Sequence, residues 1–531
     1  MNLLEQKLQY YAGQQGEKIA LQSDLTPLDQ EGGLTYHDFY HVITLMQKEL
    51  QQLTHDIIQP VVAVLMDNQP AWAVIDLALL FNQQCSVPLP KFFSTEQLLH
   101  TLENSEADYL ISDDMSLAER LNTHIVDQQV IHIMDRTFIC YRLSTQKSAQ
   151  KKSDAKSSTD GIVKITYTSG TTGQPKGVML SEATLMAKVE SLADASEANK
   201  DDIALSILPL STLLENIGGL YVPLYCGATV SLVSPQSTGL SGSSQIHVAQ
   251  LLQTITQYQP TAFIIIPQLL LLFIKAYQEG YKLPDSLRFI AMGGAPVSRH
   301  LLILAKQLAI PVFEGYGLSE AASVVAVNNP SAHRIGSVGK VLMNHHLAIV
   351  SDKSECNEDD TEQEGEIIIK NALFNGYLGQ ANYDPDTFYA TGDIGYLDND
   401  GFLFITGRKK NIINTSFGRN ISPEWLEKEL EAIAEIAQCV VYGHAKPYLV
   451  ALLVLRNSKA TMVDKNKVEK AITQLNNQLP DYARIINYAI LNEPFSVKNK
   501  QLTGTGRPRR SAIYEYYSAE LEQCYETTAS I

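Results

Sequence analysis

Cysteine is scarce in this 531-residue chain: six residues (Cys85, Cys140, Cys226, Cys356, Cys439, Cys524), with no Cys-x-x-Cys pair and no Cys/His cluster. That scatter excludes a zinc-ribbon or disulfide-stapled scaffold and reads as six reduced thiols. Long apolar runs are missing too. The most apolar stretch, AFIIIPQLLLLFI (262–274), contains Pro267 and Gln268 and falls short of the roughly twenty residues a bilayer-spanning helix needs. The opening residues, MNLLEQKLQYYAG, lack a basic n-region and an apolar h-region, so they read as a short amphipathic helix and not as a secretory leader. Basic charge is in deficit: Lys+Arg 41 against Asp+Glu 58 gives a formal net charge of −17. A general nucleic-acid binder needs basic surface to neutralise phosphates, so that class is excluded. An anionic small ligand is not, because backbone N–H groups and a few local cations hold phosphates inside acidic proteins. The expectation is a cytoplasmic protein with no integral membrane segment and no nucleic-acid partner.

What is present is ordinary globular material, 45% hydrophobic and 19% charged. At roughly 150 residues per domain the length implies three to four domain-sized units. Strand-length apolar runs recur: VVAVLM (61–66), DYLISD (108–113), IVKITYTS (162–169), TVSLVS (229–234), AFIII (262–266) and RFIAMG (288–293). Between them lie helical patterns such as AWAVIDLALLFNQQ (71–84) and IHVAQLLQTITQY (246–258). Continuously apolar strands alternating with helices predict mostly parallel sheets covered on both faces, an α/β class. From about Gly336 the texture changes to short strands joined by Gly, Asn and Asp, which predicts a small antiparallel barrel or meander. Beyond Arg408 an α+β pattern begins, with a Pro423-led helix, strands QCVVYG and LVALLVL, and helix KVEKAITQLNNQL. The chain therefore divides into a large domain over 1–408 and a small one over 409–531. A Ser/Lys-rich segment (146–160) and an acidic one (351–366) read as solvated loops.

The strongest motif is YTSGTTGQPKGVML (167–180), directly after an apolar run. Gly170, Gly173 and Gly177 alternate with Thr168, Ser169, Thr171 and Thr172, and Lys176 stands near the end. Glycine lets backbone approach an anion, hydroxyls and N–H groups donate to phosphate oxygens, and lysine adds a point charge. It is not a Walker-type loop, since Gly177 follows Lys176, and no GxGxxG precedes a helix here. A Gly/Thr-rich surface turn is the plainer reading, but the length and order of the string at a strand exit argue against it.

This segment resembles the phosphate-binding signature of the adenylate-forming superfamily: acyl-CoA synthetases, nonribosomal peptide synthetase adenylation domains and firefly-type luciferases. The chain is most similar to the bacterial fatty acyl-CoA synthetases and fatty acyl-AMP ligases in it. GGAP (293–296), with Gly294, Ala295 and Pro296, resembles the family's adenine-contacting turn. EGYGLSE (314–320) resembles its aromatic-plus-acid motif, with Glu314, Gly315, Tyr316, Gly317, Glu320 and, where Thr is usual, Ser319. YATGDIGYLDNDGFLFITGRKKNII (389–413) carries Asp393 and Arg408 at the family's separation. The resemblance implies two doubly wound α/β subdomains plus a small β-barrel, followed by a mobile C-terminal domain that swivels near Lys410. It implies ATP and Mg²⁺, with the 168–173 loop and Lys176 on phosphates and Tyr316 stacked on adenine. Glu320 would hold the metal, Asp393 the ribose hydroxyls, and Arg408 ribose or phosphate oxygens. Taken singly, these would be a half-buried tyrosine, a solvated glutamate and a turn aspartate; their order in the motifs reverses that reading. Asp398 and Asp400, in LDNDG, stay with the turn.

Two departures stand out. Near the C-terminus, LTGTGRPRR (502–510) places Arg507 where the family has a lysine bridging carboxylate and nucleotide, with Lys500 as the alternative cation. Glu182 stands where a histidine often follows the phosphate loop and would alter the mouth of the acyl pocket. Gly418, in SFGRNISPEW, matches the loop that forms a thiol tunnel. The implied reaction is attack of a carboxylate on the α-phosphorus of ATP, giving acyl-AMP and pyrophosphate, then transfer to a thiol. LPLSTLLENIGGLYVPLYCGATV (208–230) resembles the acyl-pocket helix of fatty acyl-CoA synthetases, which implies a medium- or long-chain fatty acid; an aryl acid stays open. The acceptor is CoA or the phosphopantetheine of an acyl carrier protein, for which Arg507, Arg509 and Arg510 would form a basic patch. A non-catalytic adenylate binder, or a luciferase-like oxygenase, is the reading from a different class. A sensor would be expected to lose Glu320, Asp393 or Arg408, and all three are present.

Overall fold

A computed structural model describes residues 1–25, 33–121, 124–144, 161–168, 175–241, 245–351, 364–416, 419–457, 462–503 and 506–526. Two large mixed sheets dominate it. In the eight-stranded sheet, Ile162–Thr168, Cys85–Pro88, Val61–Leu65 and Tyr109–Ser112 lie side by side and parallel. Antiparallel hairpins extend both edges, one through Lys176–Ser181, the other through Arg136–Leu143 and Ile125–Ile133. The nine-stranded sheet has a parallel centre in the order Val312–Leu318, Phe289–Met292, Ala262–Ile265, Ile203–Ser206, Thr229–Leu232, Ile19–Gln22.

Strands with no polar face must be covered on both sides, and the helices arrange themselves accordingly. Between the sheets lies one core, with Trp72, Tyr36, Phe39 and Tyr221 packed against Val62, Val64 and Val230. Outer helices cover the nine-stranded sheet through Phe273 and Leu301 and the eight-stranded sheet through Leu98 and Leu102. Helix Pro70–Phe81 is apolar nearly all round, with Pro70 in its first turn; such a helix has no solvent face to offer and sits in the central layer.

Its one acid, Asp76, ties the eight-stranded sheet to the segment that carries Asn216 and Tyr221. The carboxylate accepts from Ser86 Oγ (3.0 Å), Lys164 Nζ (2.9 Å), Asn216 Nδ2 (3.0 Å) and Tyr221 Oη (2.5 Å). Asp76 and Lys164 are fully buried, so removing one would strand the other's charge at a cost of about 3–5 kcal/mol. Asn216 and Tyr221 belong to a π-helical segment, Glu215–Tyr221.

After Gly336 the chain takes the meander form. His346–Val350, Gly365–Lys370, Tyr389–Leu397 and Leu403–Arg408 make a four-stranded antiparallel sheet. Leu403 exchanges hydrogen bonds with Val338 and Gly339, so among the described residues this sheet leans on its neighbour. The small C-terminal domain has its own three-stranded sheet, Ile436–Tyr442, Leu449–Leu455 and Ile485–Leu491, with separate cores around Leu426 and Leu453 and around Val440 and Phe495. The five described cysteines form no disulfide with one another, and Cys356 lies outside the described residues. No helix among the described residues is long and apolar enough to cross a membrane.

Candidate functional site

Strand Val312–Leu318 ends at the seam between the sheets, carrying Glu314 and Tyr316. It pairs with Ser323–Val327 through a bulge between Tyr316 and Gly317. Only glycine fits at 317: a Cβ would stand 1.7 Å from the Ser323 carbonyl oxygen. The bulge turns the chain into a single 3-10 turn, Ser319–Ala321, which presents Glu320. Burial pushes the Glu314 carboxyl up to about 7. Tyr316 Oη donates to Asp393 Oδ2 at 2.7 Å, and burial together with the Asp393 charge holds that phenol well above its ordinary range.

Asp393 and Arg408 are fifteen positions apart in sequence but directly opposite in the meander, as register partners on adjacent antiparallel strands. Arg408 Nε lies 2.7 Å from Asp393 Oδ1. The aspartate is almost fully buried and the arginine about one-third exposed. One carboxylate thus holds a phenol and a guanidinium together. Asp398 Oδ1 accepts from the Asp400 and Phe402 amides, and Arg334 pairs with both acids, which is turn chemistry away from this cluster.

Glu320 Oε1 accepts from Tyr377 Oη at 2.5 Å, and Tyr377 Oη meets Tyr389 Oη at 3.1 Å. Lys176 Nζ stands 5.3 Å from the centre of the Tyr377 ring, within cation–π range. Tyr377 and Tyr389 are site residues that sequence reasoning missed. Phe374, Tyr377, Tyr383 and Tyr389 fall within sixteen positions, an aromatic density that was the available signal. Lys176 opens the return strand of the hairpin whose outgoing strand ends at Thr168, and the two are register partners. Ser169, Gly170, Thr171, Thr172 and Gly173 lie outside the described residues, as does Gly418.

The C-terminal domain closes the site. Arg507 Nη2 donates to the Gly294 carbonyl at 3.0 Å, in the turn Gly294–Ala295–Pro296, where Gly294 adopts φ +85°. Burial, reinforced by the neighbouring Arg408 charge and opposed by Asp393 and Glu320, lowers the Arg507 pKa. Ser298 Oγ donates to Glu429 across the same boundary at 3.0 Å. Lys410, in the 3-10 turn Lys409–Asn411, is lowered by burial and by the charges of Arg408 and Arg507. Lys500 is exposed and does not line the cavity. Glu182 does not line it either: it begins helix Glu182–Ala195 and accepts from Gln83 at 3.2 Å, so the expected change at the pocket mouth is absent.

One continuous cavity of about 2920 Å³ joins these groups. Lys176, Tyr316 and Glu320 line it together with Asp393, Arg408 and Arg507. From Gly293 a branch runs along the inner face of the nine-stranded sheet, past Ile264 and Ala291, opposite Gly218 and Gly219 of the π-helical segment. Glu215 itself does not line the cavity and is fully buried; burial, opposed by the Ser206 hydroxyl and the Leu208 and Ile207 amides, pushes its pKa up to about 8. The arrangement suits a polyanion held by three cations beside an acid, with an apolar substituent in the side branch.

Comparison with known proteins gives consistent results. The model of a family described as AMP-binding enzyme matches residues 8–378, and that of the AMP-binding enzyme C-terminal domain matches 410–529. The chain is 26% identical to a long-chain-fatty-acid–CoA ligase of Mycobacterium bovis, covering 86% of each chain. It is 27% identical to a 2-succinylbenzoate–CoA ligase of Bacillus velezensis, over 78% of this chain and 81% of that one. Among solved structures it superposes on an anthranilate CoA ligase in complex with anthranoyl-AMP, with a TM-score of 0.77 at 18% identity and 98% coverage of both chains. It also superposes on the o-succinylbenzoate CoA synthetase of Bacillus subtilis with its acyl-adenylate intermediate, with a TM-score of 0.73 at 23% identity, covering 95% and 97%.

Proposed function

The chain belongs to the AMP-binding enzyme family, and on that premise we propose that it joins a carboxylic acid to CoA through an acyl adenylate, the acid being aliphatic. The observation that carries this reading is the convergence of Lys176, Glu320, Asp393, Arg408 and Arg507 on one cavity with an apolar side branch. Similarity to long-chain-fatty-acid–CoA ligases supports the aliphatic acid; similarity to succinylbenzoate ligases makes an aryl acid the outcome to test against.

No enzyme nucleophile is required. The substrate carboxylate attacks the α-phosphorus, pyrophosphate leaves, and the thiol then displaces AMP from the carbonyl. The residues have to position two anions and stabilise charge at the α-phosphate. Lys176, Arg408 and Arg507 supply cations for the phosphates and the incoming carboxylate. Asp393 is placed to accept ribose hydroxyls while Tyr316, fixed by its hydrogen bond to that acid, offers its ring to the base. Arg507, bonded to the Gly294 carbonyl, stands between base turn and phosphates and takes the part of the family's lysine.

Glu320 uses Oε1 on Tyr377, leaving Oε2 as a hard donor, and no cluster of three His, Cys, Asp or Glu exists among the described residues. That fits magnesium, which keeps waters and substrate phosphates and needs only one or two protein carboxylates. When bound, Mg²⁺ would neutralise phosphate charge next to Glu320. Lys410, at the junction of the two domains, is the hinge of this reading, with the domains divided at 408/409.

Acid-dependent pyrophosphate release over a C2–C18 and aryl carboxylate panel tests the proposal, with mass spectrometry of products from CoA or a holo-carrier protein. Pyrophosphate release with acyl-CoA formation is expected. Transfer to the carrier alone would replace CoA as acceptor, and no release with any acid would sink the enzyme reading.

A further inference from the structure

The side branch has a floor, and its residues are an ion pair. Resting on the reading of this enzyme as an aliphatic acid–CoA ligase, we propose that Arg288 and Asp202 close the far end of the acyl channel and limit the acid to about twelve carbons.

The channel is built by strand register. Alternate residues of a strand share a face. Ala204, Ala262 and Phe289 stand in one row across three parallel strands, and Ile264, Ala291 and Phe313 make the next row towards the site. Alanines in these rows leave a trough between the sheet and the π-helical segment. Its far wall stays open because residue 218 has no side chain: a Cβ there would approach Ile264 Cδ1 to 2.9 Å. Further down, Leu192, Val222 and Pro223 line the trough, and beyond the Ala204–Ala262–Phe289 row it meets Ser196, Asp202 and Arg288.

There the apolar lining stops. Arg288 Nε and Nη2 lie 2.7 and 2.5 Å from the two Asp202 oxygens, and Nη1 donates to the Ser196 carbonyl at 3.1 Å. Asp202 also accepts from Thr261 Oγ1 at 2.7 Å and the Asn199 amide at 2.9 Å. Its side chain is only 6% exposed, against 29% for Arg288, so the guanidinium is the more open partner of the pair. The fork is engaged on three sides, and an alkyl chain longer than the channel would have to break it open. From Gly293 to Arg288 the strand advances five residues at about 3.3 Å, or about 17 Å. Tetrahedral carbons joined by bonds of about 1.5 Å advance about 1.3 Å each, so about twelve fit.

The test measures kcat/KM for pyrophosphate release with C6 to C18 acids. It also measures, by calorimetry, the affinity of AMP and of non-hydrolysable acyl-sulfamoyl-adenosines carrying C8, C12, C16 and aryl groups. In the wild type both should fall at least about tenfold between C12 and C16, and Arg288→Ala should recover most of that loss, raising the C16:C12 ratio about tenfold. Should Arg288→Ala fold poorly, Ala262→Leu narrows the channel one row above the floor and should lower the C12:C6 ratio by a similar factor. A wild type that takes C16 as well as C12, or an Arg288→Ala profile coinciding with the wild type, overturns the proposal while leaving the ligase reading intact. If no acyl analogue binds better than AMP, or only aryl analogues do, the aliphatic reading fails and the floor with it.

Discussion

Arg507 is the one member of the polar cluster whose chemistry differs from the family's pattern. A guanidinium keeps its proton under all ordinary conditions and offers a planar fork, where an ammonium is a compact point charge. Here one nitrogen donates to the Gly294 carbonyl, while the charges of Arg408, Asp393 and Glu320 act on the guanidinium. Arg507→Ala should therefore lower ATP–pyrophosphate exchange by about 10²–10³-fold, the range for losing one preorganised charge-stabilising donor. Arg507→Lys should restore part of it, and equal rates for the three proteins would remove Arg507 from the reaction. Asp393→Asn keeps the shape but gives up the charge that holds Arg408. The Km for ATP should rise about tenfold or more, with a smaller change in kcat, as steady-state kinetics would show. At this scale the motifs singled out Tyr316, Glu320, Asp393, Arg408 and Arg507, and the fold lines one cavity with all five. Tyr377 and Tyr389 went unnoticed because the aromatic density around them does not point to a site until a carboxylate is placed against it.

Two elements set the shape of the cavity. The π-helical segment Glu215–Tyr221 buries a carboxyl completely and with no cation beside it, a group best kept neutral. With its pKa pushed up from 4.5 to about 8, the folded protein holds a proton there that the unfolded chain releases between those values. Stability from the neutral form is present at low pH and is lost as pH rises through about 8, by about 5 kcal/mol overall. Glu215→Gln, neutral at every pH, should be more stable than the wild type by an amount that grows between pH 5 and 8.5. Denaturant midpoints at several pH values would check this, and parallel curves would refute it. The bulged strand Val312–Leu318 depends on Gly317 in the same way. With the Ser323 carbonyl oxygen 1.7 Å from its would-be Cβ, Gly317→Ala must force the two strands apart and should cost more than about 3 kcal/mol, read from the unfolding midpoint. The strands were legible as continuous apolar runs. The π-helical geometry was not, since one extra residue per turn leaves no mark in the apolar pattern of LLENIGGLYVPLY.

At the scale of the molecule, the site exists only where two domains meet. Tyr316, Glu320, Asp393 and Arg408 come from the large one, and Arg507 reaches in from the small one, held by its bond to Gly294 and by the Ser298–Glu429 contact. If Lys410 is the hinge between an adenylating and a thiol-transfer arrangement, restricting its φ should separate the two halves of the reaction. Lys410→Pro should leave pyrophosphate release within about threefold of the wild type and lower thioester formation about a hundredfold. Equal losses in both halves would argue against a hinge there. The amino-acid sequence by itself determined the class of fold, the small C-terminal domain and the order of the nucleotide motifs, because these rest on local apolar periodicity and on short strings whose chemistry is self-contained. Tertiary structure alone decided that the late antiparallel strands form a meander leaning on the nine-stranded sheet, that Glu182 points away from the cavity, and that Arg507, not Lys500, enters it. It also decided that Asp202 and Arg288, 86 positions apart, meet across the floor of the channel. Such pairings depend on which strand ends the register of a parallel sheet brings side by side, and no local pattern in either segment encodes that.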